Sequence, residues 1–169
     1  LLLLNSLSSD PSVSNLPDVN WKREDDEAEK EGREKTHDNK FYFDDAFQNY
    51  MSDKIANQKN VNANVNLEDG AEYSDYDIFL KTCKRKGLKP LIIVQSVNGW
   101  YYDYTGISKE QRAAVYKRLC SMAEGYGFTA YDLSSLEYTP HAYYDAWHLG
   151  WKGWLYVDEK IADYFSHNL

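Results

Sequence analysis

The sequence predicts an α/β protein with three layers, in which helices cover both faces of a parallel sheet. Helical and strand-like patterns alternate from residue 74 to the end of the chain. Two short apolar runs, 91–94 and 128–133, are bounded by glycine or proline, as strands inside a sheet often are. Alternation of strands and helices requires crossover connections, which make the strands parallel and place helices on the faces of the sheet.

Capping and helix-ending residues mark the first helix and the first strand of this regular part. Ser74 and Asp77 have the spacing of a capping box, and an apolar face follows them at helical intervals. Gly87 is expected to end this helix. The apolar run 91–94 then predicts a strand that is buried on both faces, and residues 95–105 are expected to form the loop that leaves it.

The second helix, the second strand and the last helix follow the same pattern. Ser108 and Gln111 form a second capping box ahead of an apolar stripe. Residues 128–133 predict the second strand. A final helix is expected from about Lys152 to Phe165, because apolar side chains recur there on one side.

The chain divides by composition into a polar segment, residues 1–72, and the regular α/β part, residues 73–169. The charged run 22–35 predicts a solvated helix with ion pairs between residues four apart. The asparagine-rich stretch 57–70 predicts a loop. Between them, the stretch 39–51 carries a set of aromatic side chains.

Charge and composition restrict the class of protein. The net charge of −8 disfavours binding to the phosphate backbone of nucleic acids. The four leucines at the start are too few for a membrane span, and no other apolar run approaches the length of one, so we expect the chain as given to be soluble. Cys83 and Cys120 lie in predicted helices among apolar neighbours, which favours buried thiols over a metal or redox motif.

The stretch HAYYDAWHLGWKGW, residues 141–154, is the strongest candidate for a functional site. It belongs to the loop that follows the second strand, and ligands bind at the carboxyl ends of strands in sheets of this kind. Asp145 lies three residues before His148, so its carboxylate is able to fix the imidazole tautomer that a general base needs. The aromatic ring of Trp147 is expected to pack beside this pair and to restrict the access of water to it.

The sequence leaves two other interpretations of this stretch open. In one, Asp145 caps the start of a helix and His148 is a polar surface residue. In the other, His141, Asp145 and His148 supply two imidazoles and a carboxylate to a metal ion. The spacing of Asp145 and His148 does not by itself decide between these interpretations and a catalytic pair.

The loop after the first strand, 95–105, is the second candidate. Gln95 and Asn98 are able to donate hydrogen bonds to a substrate or an oxyanion, while Trp100 and Tyr104 are able to wall a groove. The alternative is a packed loop whose amide groups bond to the protein itself.

Three segments closely resemble the C-terminal third of the DltD family: KPLIIVQSVNGWYYDYTGISKEQR, EGYGFTAYDLSSLEY and DAWHLGWKGWLYVDEKI. HDNKFYFDD resembles a diverged form of another family segment, which usually reads closer to N-N-x-F-G-I. Tyr42 departs from that pattern, because it stands where the pattern has glycine. The resemblance implies an SGNH-hydrolase-like α/β/α fold of the flavodoxin-like kind and acyl transfer by serine, histidine and aspartate. It assigns the base to His148 and the orienting carboxylate to Asp145. Nothing in the chain matches the turn that carries the family's serine, so the chain is expected to be a C-terminal fragment without the nucleophile.

The resemblance also implies a function and a location. The family D-alanylates lipoteichoic acid in Gram-positive bacteria and requires a D-alanyl donor from the dlt system, with no cofactor or metal. It acts at the extracytoplasmic face of the cell membrane, where an N-terminal anchor absent from this chain holds it. Two rival functions remain: another SGNH-type esterase acting on cell-wall glycans, and a non-catalytic docking domain with an aromatic binding face.

Overall fold

In the computed structural model, which describes residues 19–168, helices contain more than half of the described residues. The residues 1–18, which include the leucines at the start of the chain, lie outside the described part. Two short 3-10 turns, Ile55–Gln58 and Ser134–Leu136, join the main elements. In chain order these are α1 (Trp21–Thr36), α2 (Asp45–Met51), α3 (Glu72–Arg85), β1 (Ile92–Val94), α4 (Gly99–Thr105), α5 (Lys109–Gly125), β2 (Ala130–Asp132) and α6 (Trp151–Asn168).

The two strands form a parallel sheet, which confirms the predicted α/β class. Ile92 pairs with Ala130, and the register continues to the pair of Val94 and Asp132. The prediction that the first strand is buried on both faces is wrong, because only Val94 is buried and the two isoleucines before it are half-buried. Within the described residues the sheet has two strands, so each strand keeps an open edge.

Side chains that alternate along the strands pack against helices on opposite faces of the sheet. Ile92 and Ala130 pack against an apolar cluster that contains residues of α3 and α5, namely Leu80, Cys83 and Ala123. Ile93 and Tyr131 pack against a second cluster, which contains Leu133, Leu136, Ala142, Tyr143, Leu149 and Val157. Val157 lies on α6, so α6 covers the face opposite to α3 and α5.

The capping box predicted at Ser108 is present, and the one predicted at Ser74 is not. In α5 the Ser108 hydroxyl accepts from the Gln111 backbone, and the Gln111 side chain accepts from the Ser108 backbone. Helix α3 begins earlier than predicted, at Glu72, after Ala71, which has no side chain able to cap it. Acidic residues in the first turn of α3 stabilise its positive end instead.

The predicted loop 95–105 contains a helix, α4, which the sequence analysis missed. Its N-cap is Asn98, whose side-chain oxygen accepts from the Tyr101 backbone N–H at 3.0 Å. It ends at Gly106, which has a φ of 100°, in the left-handed region that favours glycine. Helix α4 is apolar on more than one side because it packs between neighbouring segments, so no amphipathic period identifies it.

The polar N-terminal part packs against the α/β part through aromatic and backbone contacts. The predicted charged helix is confirmed as α1, with ion pairs between residues four apart. Phe41 and Phe43 are fully buried and share a cluster with Tyr101 of α4 and Ala146. The Asp44 backbone N–H donates to the Tyr144 carbonyl at 2.9 Å. Across residues 19–168, no helix combines the length and the apolar character that a membrane span requires.

Candidate functional site

The loop between β2 and α6 folds into a short hairpin at residues 143–149. Tyr143 and Leu149 form an antiparallel bridge, and the Tyr144 N–H donates to the His148 carbonyl at 2.8 Å. Close backbone packing fixes the hairpin to the start of α6: a Cβ on Gly153 would lie 2.2 Å from the Ala142 carbonyl oxygen. Gly153 is therefore needed for the close approach of α6 to this loop, because any larger residue would clash there.

Asp145 and His148 form a hydrogen-bonded pair in this hairpin, as the family resemblance implies. One carboxylate oxygen of Asp145 accepts from the backbone N–H groups of Trp147 and His148, at 2.9 and 2.8 Å. The other lies 2.7 Å from Nδ1 of His148. Because an ionised carboxylate only accepts, Nδ1 carries the proton, and Nε2 of the neutral ring has a free lone pair.

The two members of the pair differ in exposure. The Asp145 side chain is 8% exposed, whereas the His148 side chain is 66% exposed. A buried acceptor therefore holds an imidazole whose outer nitrogen faces open space. Asp145 does cap backbone N–H groups, but those groups belong to the hairpin, because α6 begins only at Trp151. The interpretation of Asp145 as a helix cap does not describe this geometry.

The structure brings Gln95 and Trp147 to the pair. Gln95 follows β1 directly, and its side-chain amide donates to the Trp147 carbonyl. The Trp147 indole is half exposed, with its ring centroid 5.6 Å from the imidazole of His148. Both side chains therefore lie at the carboxyl edge of the sheet, beside the pair.

Asn98, Trp100 and Tyr104 lie in the packing next to the hairpin. Asn98 is 1% exposed; its amide donates to the Phe41 carbonyl at 2.7 Å, and its side-chain oxygen caps α4. Trp100 packs between two tyrosines, with ring centroids 4.8 and 5.6 Å away. Tyr104 packs against Phe41 and lies under the Lys40 ammonium at 4.2 Å. For Asn98 the geometry favours the alternative of a packed loop with a satisfied amide.

His141 lies apart from the pair. It is buried, and its Nδ1 lies 3.2 Å from the Thr36 hydroxyl, while Nε2 faces carboxylates of Asp38 and Glu29 at 3.3 and 3.5 Å. Burial lowers the pKa of His141, and the two carboxylates oppose this shift only partly. The alternative of a metal site with His141, Asp145 and His148 is not assembled: among residues 19–168, no three acidic, histidine or cysteine side chains are grouped to hold a metal ion.

Two buried polar groups that the sequence analysis missed support the loops of the site. The Ser96 hydroxyl lies 2.5 Å from the Leu133 carbonyl and 2.6 Å from the Tyr143 hydroxyl. Arg112 binds the buried carboxylate of Glu137 through two hydrogen bonds, at 2.7 and 3.1 Å. Burial lowers the pKa of Arg112, but its acidic partners outweigh burial and raise it above the ordinary value. These contacts join residues far apart in sequence, so no local pattern indicates them.

The fold and the site define an α/β protein that carries an aspartate–histidine pair at the carboxyl edge of a parallel sheet. The family model described as DltD protein matches residues 4–166, and the chain belongs to the DltD family. It is 31% identical to Protein DltD of Bacillus subtilis and 34% identical to Protein DltD of Staphylococcus aureus, each over 151 residues and 89% of the chain. Protein DltD of Lacticaseibacillus rhamnosus is 24% identical over 158 residues. The chain spans 36 to 38% of the length of these relatives.

Proposed function

We propose that the chain is the C-terminal portion of a serine acyltransferase that transfers D-alanyl groups to lipoteichoic acid in Gram-positive cell-wall biogenesis. The observation that carries this proposal is the 2.7 Å hydrogen bond from His148 Nδ1 to the buried Asp145 carboxylate, which leaves Nε2 exposed. Membership of the DltD family supports the substrate class.

The pair performs proton transfer in two steps of the proposed reaction. Nε2 of His148 first takes the proton of a serine hydroxyl, whose oxygen attacks the D-alanyl carbonyl and displaces the donor's leaving group, which receives that proton. Nε2 then takes the proton of a hydroxyl on lipoteichoic acid, whose oxygen attacks the acyl-serine, and the serine oxygen regains the proton. Asp145 holds the ring in the required tautomer and stabilises the imidazolium.

The nucleophilic serine is proposed to lie in a part of the protein outside this chain. One observation supports this: the chain spans less than two fifths of the length of its relatives. We further propose that the complete fold is a three-layer SGNH-hydrolase-like domain, because helices lie on both faces of β1 and β2. We also propose that the full-length protein has a membrane anchor and acts at the extracytoplasmic face of the cell membrane.

Trp147 is the proposed contact for substrate in this chain, because its ring is exposed beside the pair. Gln95, which the sequence also suggests as a substrate contact, is exposed there too, but its amide already donates to the Trp147 carbonyl. Asn98, Trp100 and Tyr104 are proposed to support the wall behind them. Lipoteichoic acid, the proposed acceptor, is a polyanion, and we propose that positively charged groups outside this site bind it. Lys152 is 18% exposed and already binds Glu29 at 2.7 Å, so it does not offer a free positive charge.

A docking domain with an aromatic binding face is the second candidate function. Four large aromatic side chains near the pair are 40 to 53% exposed: Tyr144, Trp147, Trp151 and Trp154. An exposed set of this kind is typical of a recognition surface. Docking requires these rings but does not require the imidazole of His148.

The test is the D-alanyl ester content of lipoteichoic acid in cells whose only copy of the full-length protein carries a single substitution. We expect His148→Ala to abolish the esters. His37→Ala is the matched control, because His37 is also an exposed histidine that pairs with an aspartate, Asp45, at 2.5 Å, but it lies at the C-cap of α1 and not in the hairpin. Ester content that survives His148→Ala in a normally expressed protein, but falls with Trp147→Ala and Trp151→Ala, would favour the docking function.

A further inference from the structure

The segment that follows β1 holds the hairpin of the catalytic pair at three separate points. Each contact joins one residue of 95–98 to one residue of 143–147; the first is between a side chain and the backbone, the second between two side chains, and the third between two backbone groups. They are the Gln95 amide on the Trp147 carbonyl, the Ser96 hydroxyl on the Tyr143 hydroxyl, and the Asn98 N–H on the Ala146 carbonyl.

The contact from Gln95 fixes the peptide between Trp147 and His148. The carbonyl of this peptide accepts from the Gln95 amide, and its N–H donates to the Asp145 carboxylate at 2.8 Å. The carbonyl and the N–H of a trans peptide point in opposite directions. Gln95 and Asp145 therefore hold the same peptide from opposite sides and set the direction in which His148 leaves the backbone.

The contact from Ser96 fixes the base of the hairpin. The serine has one hydroxyl proton, and the Leu133 carbonyl, 2.5 Å away, is able only to accept, so the serine donates there. The Tyr143 hydroxyl, 2.6 Å from the serine oxygen, therefore donates to Ser96. Both side chains are buried, at 0 and 2% exposure, so no water replaces either partner.

We propose that Gln95 and Ser96 are positioning residues for the pair of Asp145 and His148. Gln95 orients the peptide that carries His148, and Ser96 anchors the hairpin, through Tyr143, to the ends of both strands. The consequence for acyl transfer rests on the proposed function, whereas the geometric role rests on the contacts alone. This assigns Gln95 a task other than direct contact with substrate.

The first experiment measures the tautomer of the neutral His148 ring by ¹⁵N NMR of this chain, at about pH 9, above the ordinary range of imidazole titration. The wild-type chain should show the proton on Nδ1. We expect Gln95→Glu and Ser96→Ala each to raise the share of the Nε2–H form at least several-fold. Gln95→Glu keeps the shape but replaces the donor by a carboxylate, and Gln95 is exposed, so the chain should still fold.

Ser108→Ala is the matched control for Ser96→Ala. It removes the cap of α5, whose side-chain hydrogen bonds join Ser108 to Gln111 and not to the hairpin, and should leave the tautomer unchanged although the chain is less stable. Tyr143→Phe should reproduce the effect of Ser96→Ala, and the double variant should add little, because both remove the same hydrogen bond. An unchanged tautomer in folded Gln95→Glu and Ser96→Ala would overturn the proposal.

The second experiment separates the positioning role from the proposed function. In the full-length protein, Gln95→Glu should lower kcat for D-alanyl transfer at least tenfold with KM nearly unchanged, because an unaligned base affects the chemical step. A raised KM with an unchanged tautomer would make Gln95 a substrate contact and refute the positioning role. A changed tautomer with full transfer activity would support the positioning role and refute the proposed use of His148.

Discussion

At the scale of single residues, the site combines a buried acceptor with an exposed base. Asp145 is held by two backbone N–H groups, so its carboxylate has a fixed direction before any ligand binds. The ring of His148 is hydrogen-bonded through Nδ1, which leaves Nε2 open. A general base needs this combination, because the orienting contact has to be rigid while the reacting nitrogen stays accessible.

Gly153 shows how a single residue fixes the distance between the hairpin and α6. A Cβ at this position would lie 2.2 Å from a backbone oxygen that has no freedom to move aside. We expect Gly153→Ala to lower the free energy of unfolding by about 1–3 kcal/mol or more, as overpacked sites do. Urea unfolding measures this change.

Gly125 provides the control for Gly153. It lies in α5 with open space around it, so Gly125→Ala should be neutral or raise the free energy of unfolding by about 0.5–1 kcal/mol. Equal effects of the two substitutions on the free energy of unfolding would contradict the close contact between Gly153 and the Ala142 carbonyl oxygen.

At the scale of elements, a buried ion pair connects α5 to the loop after β2. Arg112 and Glu137 have side chains that are 3 and 2% exposed, and the Tyr116 hydroxyl adds a third hydrogen bond to the carboxylate at 2.8 Å. The Glu137 carbonyl also accepts from the first N–H of α4 at 2.7 Å. The network therefore aligns three neighbouring elements behind the site.

Removing one member of this pair should be costly. We expect Arg112→Met to lower the free energy of unfolding by roughly 3–5 kcal/mol, because it leaves the Glu137 carboxylate buried and unpaired. Arg33→Met breaks an exposed ion pair with Glu29 and should cost at most about 1 kcal/mol. Denaturant titration of both variants tests the difference.

A double variant distinguishes the buried charge from lost packing. Replacing both partners, as in Arg112→Met with Glu137→Leu, should recover much of the loss, since no buried charge is then left unpaired. Asp103, the other acidic partner of Arg112, is 46% exposed, so water solvates its carboxylate in the double variant. If the double variant were less stable than Arg112→Met alone, the ion pair would not be the reason for the loss.

The sequence predicts elements whose signals are local, and it misses those that depend on distant contacts. The capping box of α5 and the two strands are confirmed, because four to six consecutive residues contain each signal. Helix α4 was missed, since its aromatic residues pack against Phe41 and Ala146 from other segments. In the site, the spacing of Asp145 and His148 permits their hydrogen bond and the family resemblance predicts it, whereas no local pattern predicts Ser96 beside Tyr143.

At the scale of the whole molecule, Tyr42 has a backbone conformation that residues other than glycine rarely adopt. Tyr42 has a φ of 53°, in the left-handed region, at the position where the resembling family segment has glycine. Its ring packs against Trp100 at 4.8 Å and against His141 at 5.4 Å. These aromatic contacts offset the cost of a side chain in this backbone conformation.

His141 makes the stability of the whole molecule depend on pH. Burial lowers its pKa in the folded chain, so the folded state prefers the neutral ring. Stability from this group is present above the unfolded pKa of about 6.5 and is lost as the pH falls through the lower, folded pKa. We expect the free energy of unfolding to decrease with acidification below about pH 6.5.

His141→Asn tests this dependence. Asparagine tolerates the left-handed backbone at this position, where φ is 63°, and does not titrate. The slope of stability against pH just below pH 6.5 should become flatter by up to about 1.4 kcal/mol per pH unit, the limit for one proton. An unchanged slope in urea titrations would mean that another group causes the dependence.

The central claim is that Asp145 and His148 act as one catalytic unit, and a double-mutant cycle on acyl transfer tests it most directly. Single-turnover transfer from an activated D-alanyl thioester would be measured in the full-length protein carrying His148→Ala, Asp145→Asn or both. We expect His148→Ala to slow transfer by roughly 10³-fold or more, Asp145→Asn by no more than that, and the double variant by no more than His148→Ala alone. Folded variants whose losses multiply, or a His148→Ala variant with unchanged transfer, would contradict it.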